Sequence, residues 1–147
     1  LPASDELPAP PETPRTRRRP ERSGVVLLAE DDDQLRRMVC RTLRQVGYEV
    51  ISADTCTEVL EAAQAYDGKI DLLLTDVIMP GMSGKQLARR ILESRPTTSV
   101  LYMSGYTDDT IAHHGALVNF VAKPVTPTRL LAAVDEVLGR LTHNPVA

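Results

Sequence analysis

Past residue 24 the chain alternates between short unbroken apolar runs and longer stretches whose apolar residues recur every three or four positions. The run VVLLA at 25–29 has no polar interruption, the mark of a strand covered on both faces. In the next stretch Leu35, Met38, Val39, Thr42, Leu43 and Val46 recur at helical spacing, with Arg36, Arg37, Arg41 and Arg44 outside. Gly47 is placed to stop that helix. The alternation continues with YEVISA (48–53) as a strand and TCTEVLEAAQAY (55–66) as a helix capped by Asp54 or Thr55. KIDLLLT (69–75) is the third strand, KQLARRILES (85–94) the third helix, and TSVLYMS (98–104) the fourth strand. DDTIAHH (108–114) reads as a short fourth helix and NFVA (119–122) as the fifth strand. PTRLLAAVDEVLGRL (127–141) closes the chain as a fifth helix with Leu130, Leu131, Val134, Val137, Leu138 and Leu141 facing inward.

Five strands alternating with five helices predict an α/β fold, a parallel sheet with helices on both faces. Crossovers in such units are right-handed, which leaves few topologies. Ligands of such sheets sit in the crevice at the carboxyl ends of the strands. The chemistry is therefore sought just after each strand.

Upstream, LPASDELPAPPETPRTRRRPERSG is Pro-rich, mixed in charge and nearly free of large apolar side chains, so it buries too little surface to offset its ordering entropy. Residues 1–23 are expected to be a disordered linker, 24–141 the folded domain and 142–147 a flexible tail. Arg17, Arg18 and Arg19 could contact nucleic acid or an acidic surface, but a solvated linker explains them without a partner. The chain starts with Leu rather than Met, which suggests a piece of something longer.

Composition narrows the function. The 147 residues carry a net charge of -3, against the basic balance of a nucleic-acid binder. Aromatics are 3% and Trp is absent, which argues against base stacking. Cys40 and Cys56 lack metal-type companions and are expected to be reduced bystanders in a cytoplasmic protein. No apolar run approaches the roughly 18 residues of a spanning helix, so no membrane contact by this segment is expected.

The strand ends are rich in chemistry. The first is followed by Glu30, Asp31, Asp32 and Asp33; the third ends in Asp76, the fourth in Ser104 and Gly105, the fifth in Lys123 and Pro124. Carboxylates crowded from two strands repel one another and tend to stay partly protonated. A divalent cation removes the conflict, and Mg2+ needs only one or two carboxylates, a carbonyl and a phosphate oxygen beside its waters. Asp76 then keeps an oxygen able to attack phosphorus, and aspartyl phosphates are established intermediates. Lys123 supplies a cation, Ser104 a hydroxyl, and Gly105 space for a donor.

VLLAEDD, LLLTDVIMPGMSG, VLYMSGY and FVAKP, in this order and spacing, resemble the receiver domain of two-component response regulators across about residues 24–141. The resemblance implies a flavodoxin-like (βα)5 three-layer sandwich of strand order 2-1-3-4-5. It implies that Asp76 accepts phosphate from a histidine. Mg2+ or Mn2+ would be held by Glu30, Asp31, Asp76 and the backbone carbonyl of Ile78. Ser104 matches the switch hydroxyl, Phe120 the switch aromatic and Lys123 the lysine that pairs with the phosphoryl group. Lys123–Pro124 matches a bond that is cis in the family. Glu30 stands where Asp is frequent and Gly105 where Ala is frequent, which bears on metal affinity and donor preference. LLTDVIMPGMSG with VLYMSGYTDD is most similar to receivers at the C-terminus of hybrid sensor histidine kinases; a free-standing regulator is the alternative. The implied partner is a sensor histidine kinase or a histidine phosphotransfer domain, and the implied output is a change in the face of fourth helix, fifth strand and fifth helix. A homodimer through the fourth and fifth helices is left open.

Several residues have plainer readings. Asp32 and Asp33 suit helix capping, as do Asp108 and Asp109. Pro80, Gly81 and Gly84 shape the loop and start the third helix. His113 and His114 are adjacent, point different ways around a helix and read as surface residues; Met79, Met82 and Met103 read as packing. Two rival functions compete with the signalling reading. An Asp-nucleophile phosphatase wants a second Asp where Ile78 stands, and a nucleotide or flavin module wants a Gly-rich turn where four acids stand.

Overall fold

The computed structural model describes residues 22–105 and 119–139. Within them β1 (Gly24–Ala29), α1 (Asp33–Gln45), β2 (Tyr48–Ala53), α2 (Cys56–Ala65), β3 (Leu72–Asp76), α3 (Gly84–Ser94), β4 (Ser99–Ser104), β5 (Phe120–Ala122) and α4 (Pro127–Val137) follow one another. α4 is the fifth predicted helix; the short helix expected at 108–114, with Asp108, Asp109, His113 and His114, lies outside the described residues. So do the linker up to residue 21, Leu141 and the tail at 142–147.

All strand pairings are parallel and the sheet order is β2-β1-β3-β4-β5, the flavodoxin-like 2-1-3-4-5 arrangement. Position in the sheet explains the sequence texture. β1 and β3 are interior strands, covered on both faces, and β3 is buried at every residue. β2 is an edge strand and alternates buried with exposed residues over its first half.

Alternate residues feed two cores. Val26, Leu28, Leu72, Leu74, Leu101 and Met103 pack with Val39 and Leu43 of α1 and Leu130 and Val134 of α4. Val25, Leu27, Leu73 and Tyr102 face Val59 and Ala63 of α2 and Leu87 and Ile91 of α3. Met79 and Met103 are buried in these cores, and Met82 packs against one of them. Each fully buried Leu or Ile contributes roughly 1.5–3 kcal/mol, so the two-sided burial of β1 and β3 anchors the whole sheet.

The helix starts follow their caps. Asp32 accepts from the Leu35 amide at 3.0 Å, Thr55 from Glu58 at 3.1 Å, and Thr126 from Arg129 at 3.2 Å. Ser83 and Gln86 form a reciprocal capping box at α3. Thr55, not Asp54, therefore caps α2. Gly47 follows the C-cap of α1 with φ 116, a conformation that suits glycine.

Candidate functional site at the strand ends

β1 and β3 are neighbours in register, with Ala29 opposite Thr75, so Glu30 and Asp76 emerge side by side. Glu30 extends the ladder through a 3.3 Å bond from its amide to the Ala53 carbonyl. Its side chain is fully buried, and Oε2 accepts from the Asp32 amide at 3.0 Å. Oε1 accepts no aligned hydrogen bond among the described residues and faces Lys123 Nζ at 3.2 Å. Lys123 Nζ also donates to Asp76 Oδ2 at 2.8 Å. One ammonium thus bridges two buried carboxylates.

Asp31 is exposed at the mouth of the site. Oxygens of Glu30, Asp31 and Asp76 lie within 4.8 Å of one another, close enough to share one ion. Three carboxylates against one ammonium leave a formal charge of two negatives. The excess negative charge and the convergence of three carboxylates fit a hard divalent cation with oxygen ligands.

Burial and nearby charge shift the titrations. Glu30 is held above its ordinary 4.5, chiefly by burial, and also by the charge of Asp76; the Asp32 amide and Lys123 pull the other way. For Lys123, burial lowers the affinity for its proton, but the bond to Asp76 and the charges of Glu30 and Asp76 outweigh it, and its value rises above 10.5. Lys123 is therefore a fixed positive charge at neutral pH.

Most of the remaining expected residues fall at the same rim, whereas Phe120 lies at the opposite end of its short strand. Ser104, the last residue of β4, is buried, and its carbonyl accepts from the Lys123 amide at 2.8 Å. The register that pairs Ser104 with Ala122 thus fixes Lys123 beside it. Lys123–Pro124 is cis. Ile78 lies two residues past Asp76 and is 69% exposed, and Phe120 opens β5 at 42% exposed. Pro80 and Gly81 belong to the exposed turn between β3 and α3, where Gly81 takes φ 78. Among the described residues, a Cβ on Gly105 would meet nothing within 4 Å.

Sequence reasoning missed the supporting roles of Thr75 and Arg36, and for Gly84 it gave the loop and the helix start but not the close contact with the Asp76 carbonyl. Thr75 donates its hydroxyl to the Asp76 carbonyl at 3.0 Å. Gly84 sits so close to that carbonyl that an added Cβ would lie 2.0 Å from it. Its amide bonds the Val77 carbonyl at 3.0 Å, closing the loop that carries Ile78. Arg36, expected outside, is half-buried instead: it donates to the Glu30 carbonyl at 2.9 Å and pairs with Asp33. A helical wheel places Arg36 by its own helix alone and cannot show a bond back to the preceding strand end. Thr75 read as one more strand residue, and Gly84 as a loop former.

The family profile described as the response regulator receiver domain matches residues 26–135. The chain belongs to that family. The sensor kinase CckA of Brucella abortus is 34% identical over 119 residues, which cover 79% of this chain and 13% of that protein. The response regulator receiver protein CpdR of the same organism is 38% identical over 81 residues, 55% of this chain and 66% of the relative. This chain therefore spans less than two thirds of either relative. Among solved structures, the receiver domain from the hybrid histidine kinase CckA superposes with TM-score 0.67 at 36% identity, covering 78% of this chain and 99% of that one. The chemotaxis protein CheY4 of Vibrio cholerae gives TM-score 0.71 at 29% identity, covering 79% and 99%. The chain is a receiver domain of two-component signalling with a flavodoxin-like, CheY-type fold, similar to a hybrid-kinase receiver. Among the described residues no helix is long and apolar enough to cross a membrane.

Proposed function

We propose that this receiver accepts a phosphoryl group on Asp76 from a phosphohistidine, and that Glu30, Asp31, Asp76 and the Ile78 carbonyl hold the Mg2+ (or Mn2+) it needs. The observation that carries the reading is the bridging of Asp76 and Glu30 by Lys123, with Asp31 at the mouth. When bound there, Mg2+ would neutralise the carboxylates and the equatorial oxygens of the transferring group.

The chain's own residues account for the rest. An Asp76 carboxylate oxygen attacks phosphorus; the P–N bond breaks and its electron pair returns to the imidazole. Lys123, already 2.8 Å from Asp76, shifts its pairing to the new phosphoryl oxygens. Ser104 donates its hydroxyl to the same group, and Phe120 turns inward from its exposed position. Phosphorylation replaces the single negative charge of the Asp76 carboxylate with about -1.5 to -2 on the phosphoryl group at one rim, enough to bias the surface around β5 and α4. The domain acts as a phosphoacceptor and turns over only its own aspartyl phosphate.

The donor is a sensor histidine kinase or a histidine phosphotransfer domain in the cytoplasm. The similarity to the CckA receiver supports a place in a hybrid histidine kinase, with 24–141 as the receiver, 1–23 as linker and 142–147 as tail. Asp76→Asn tests the chemistry: incubation with labelled acetyl phosphate and Mg2+ labels the wild type and leaves the variant unlabelled. Label on Asp76→Asn at the wild-type level overturns the assignment.

A further inference from the structure

On the flank of α1 that borders the outer edge of β2, a groove of about 650 Å3 is lined by Arg36, Arg37, Cys40, Arg41, Arg44, Gln45 and Ser52. Four guanidinium groups meet there with no carboxylate in the lining, in a chain whose net charge is -3. Two of the four have structural duties. Arg36 holds the Glu30 carbonyl and Asp33, and Arg44 donates to the Val50 carbonyl at 2.9 Å. Arg37 and Arg41 are exposed and make no hydrogen bond or ion pair among the described residues.

We propose that this arginine-lined groove between α1 and the outer edge of β2 docks an acidic helix of a partner protein, one presenting carboxylates at i, i+4 and i+7 spacing. Arg37, Arg41 and Arg44 follow one another by four and three residues along one side of α1. At 1.5 Å per residue, the row from Arg37 to Gln45 is about 12 Å long. A helix laid alongside offers carboxylates at the same rise and spacing, so each guanidinium meets one acid.

Two other occupants fit less well. An extended acidic strand would add to the free edge of β2. The Ala53 carbonyl points inward to Glu30, so alternation along the strand turns the Val50 carbonyl outward. Arg44 already covers that carbonyl, which blocks strand addition. A small multiply charged anion would want an enclosed pocket, but Arg37, Arg41, Arg44, Gln45 and Ser52 are all exposed. No aromatic side chain lines the groove to stack a base.

The groove meets the acidic rim through Arg36, which bonds the Glu30 carbonyl. Neither Arg37 nor Arg41 bonds to Glu30, Asp31 or Asp76, so the proposal, which is tested at those two residues, does not depend on the phosphoacceptor reading. It is tested with the full 147-residue chain and two fluorescein-labelled, alanine-based helical peptides of one composition. In one the glutamates stand at i, i+4 and i+7; in the other they are spread around the helix. Anisotropy is expected to show the aligned peptide binding at least tenfold tighter than the spread one. The double variant Arg37→Glu/Arg41→Glu loses that binding, with an unchanged thermal melt. Equal binding of the two peptides, or retention of binding by the double variant, overturns the proposal. Inorganic triphosphate binding tighter than the aligned peptide, and lost in the same variant, would make the groove a small-anion site and overturn it equally.

Discussion

Gly84→Ala tests how tightly the reactive strand end is tied to α3. In the native structure a Cβ at residue 84 would lie 2.0 Å from the Asp76 carbonyl oxygen, 3.0 Å from its carbon and 3.1 Å from Thr75 Oγ1. Real Cβ atoms do not approach closer than 3.0 Å, so α3 or the end of β3 must retreat by at least about 1 Å. The obstacle is backbone, and no rotamer change relieves it. Overpacking of this kind costs about 1–3 kcal/mol, with the upper end expected for a clash with main chain. For a domain of this size, about 3 kcal/mol lowers Tm by roughly 10 °C. The retreat also strains the Gly84 amide bond to Val77, and with it the loop holding Ile78. Phosphorylation of Asp76 should therefore fall by more than the folded fraction does. Gly81→Ala is the control: its φ of 78 penalises alanine, but among the described residues nothing stands within 4 Å of the new methyl. It should lose about 1 kcal/mol and keep its labelling rate. A Gly84→Ala protein with native Tm and native labelling would refute the close-contact reasoning.

Asp31→Asn isolates the metal, since Asp31 is exposed and contributes little to folding. At ten times Kd, Mg2+ should stabilise the wild type by about 1.4 kcal/mol relative to EDTA, and the variant should lose that shift in a thermal melt. Lys123→Met leaves Glu30 and Asp76 without their shared cation. In EDTA at neutral pH the loss should be about 2 kcal/mol, less than the 3–5 kcal/mol of a fully buried pair because the lysine is 25% exposed. Its pH dependence has a definite sign. A raised Glu30 value favours folding fully below 4.5 and loses that help as pH rises through the folded value. Removing Lys123 raises Glu30 further, so urea titrations should show a larger deficit at pH 7 than at pH 5; an equal deficit contradicts the pairing. Arg95→Ala orphans the carbonyls of Tyr66 and Gly68, now held at 2.6 and 2.7 Å, and strips a second bond at 3.1 Å from the Ala63 carbonyl, which keeps the Tyr66 amide. It should cost about 2 kcal/mol by urea denaturation, with Arg95→Lys recovering less than half because an ammonium cannot span all three.

The strands were legible in the sequence wherever both faces are covered. Leu72, Leu73 and Leu74 have no solvent face, so the string of leucines is itself the signature of an interior parallel strand. The rim residues were legible for a related reason: a carboxylate next to such a run must have a partner. What stayed hidden was contact across elements between a side chain and the main chain. Arg36 reaches back to Glu30, Thr75 secures the Asp76 carbonyl, and Arg95 spans 27 to 32 residues to the end of α2. Main-chain carbonyls are the same at every position, so no sequence pattern marks their acceptors. The Lys123 bridge lies between these cases. Its residues stood out by type, but only the register of β4 with β5 brings the ammonium to both acids.

That register also indicates which part of the sheet can respond. On the phosphoacceptor reading, the charge change at Asp76 is felt first by Lys123, whose amide is bonded to Ser104 and whose chain continues directly from β5. β5 is three residues long, lies at the sheet edge and, among the described residues, pairs only with β4. Few backbone bonds resist its adjustment, whereas β1 and β3 are clamped on both sides and between two cores. Phe120 opens this short strand, opposite Tyr102, and is 42% exposed. A half-exposed aromatic on a weakly held edge gains apolar burial by turning inward, and shifting Lys123 and Ser104 alters the strand that carries it. The rigid side of the sheet would then hold the reacting carboxylate in place, while the thin side converts its change of charge into a change of surface.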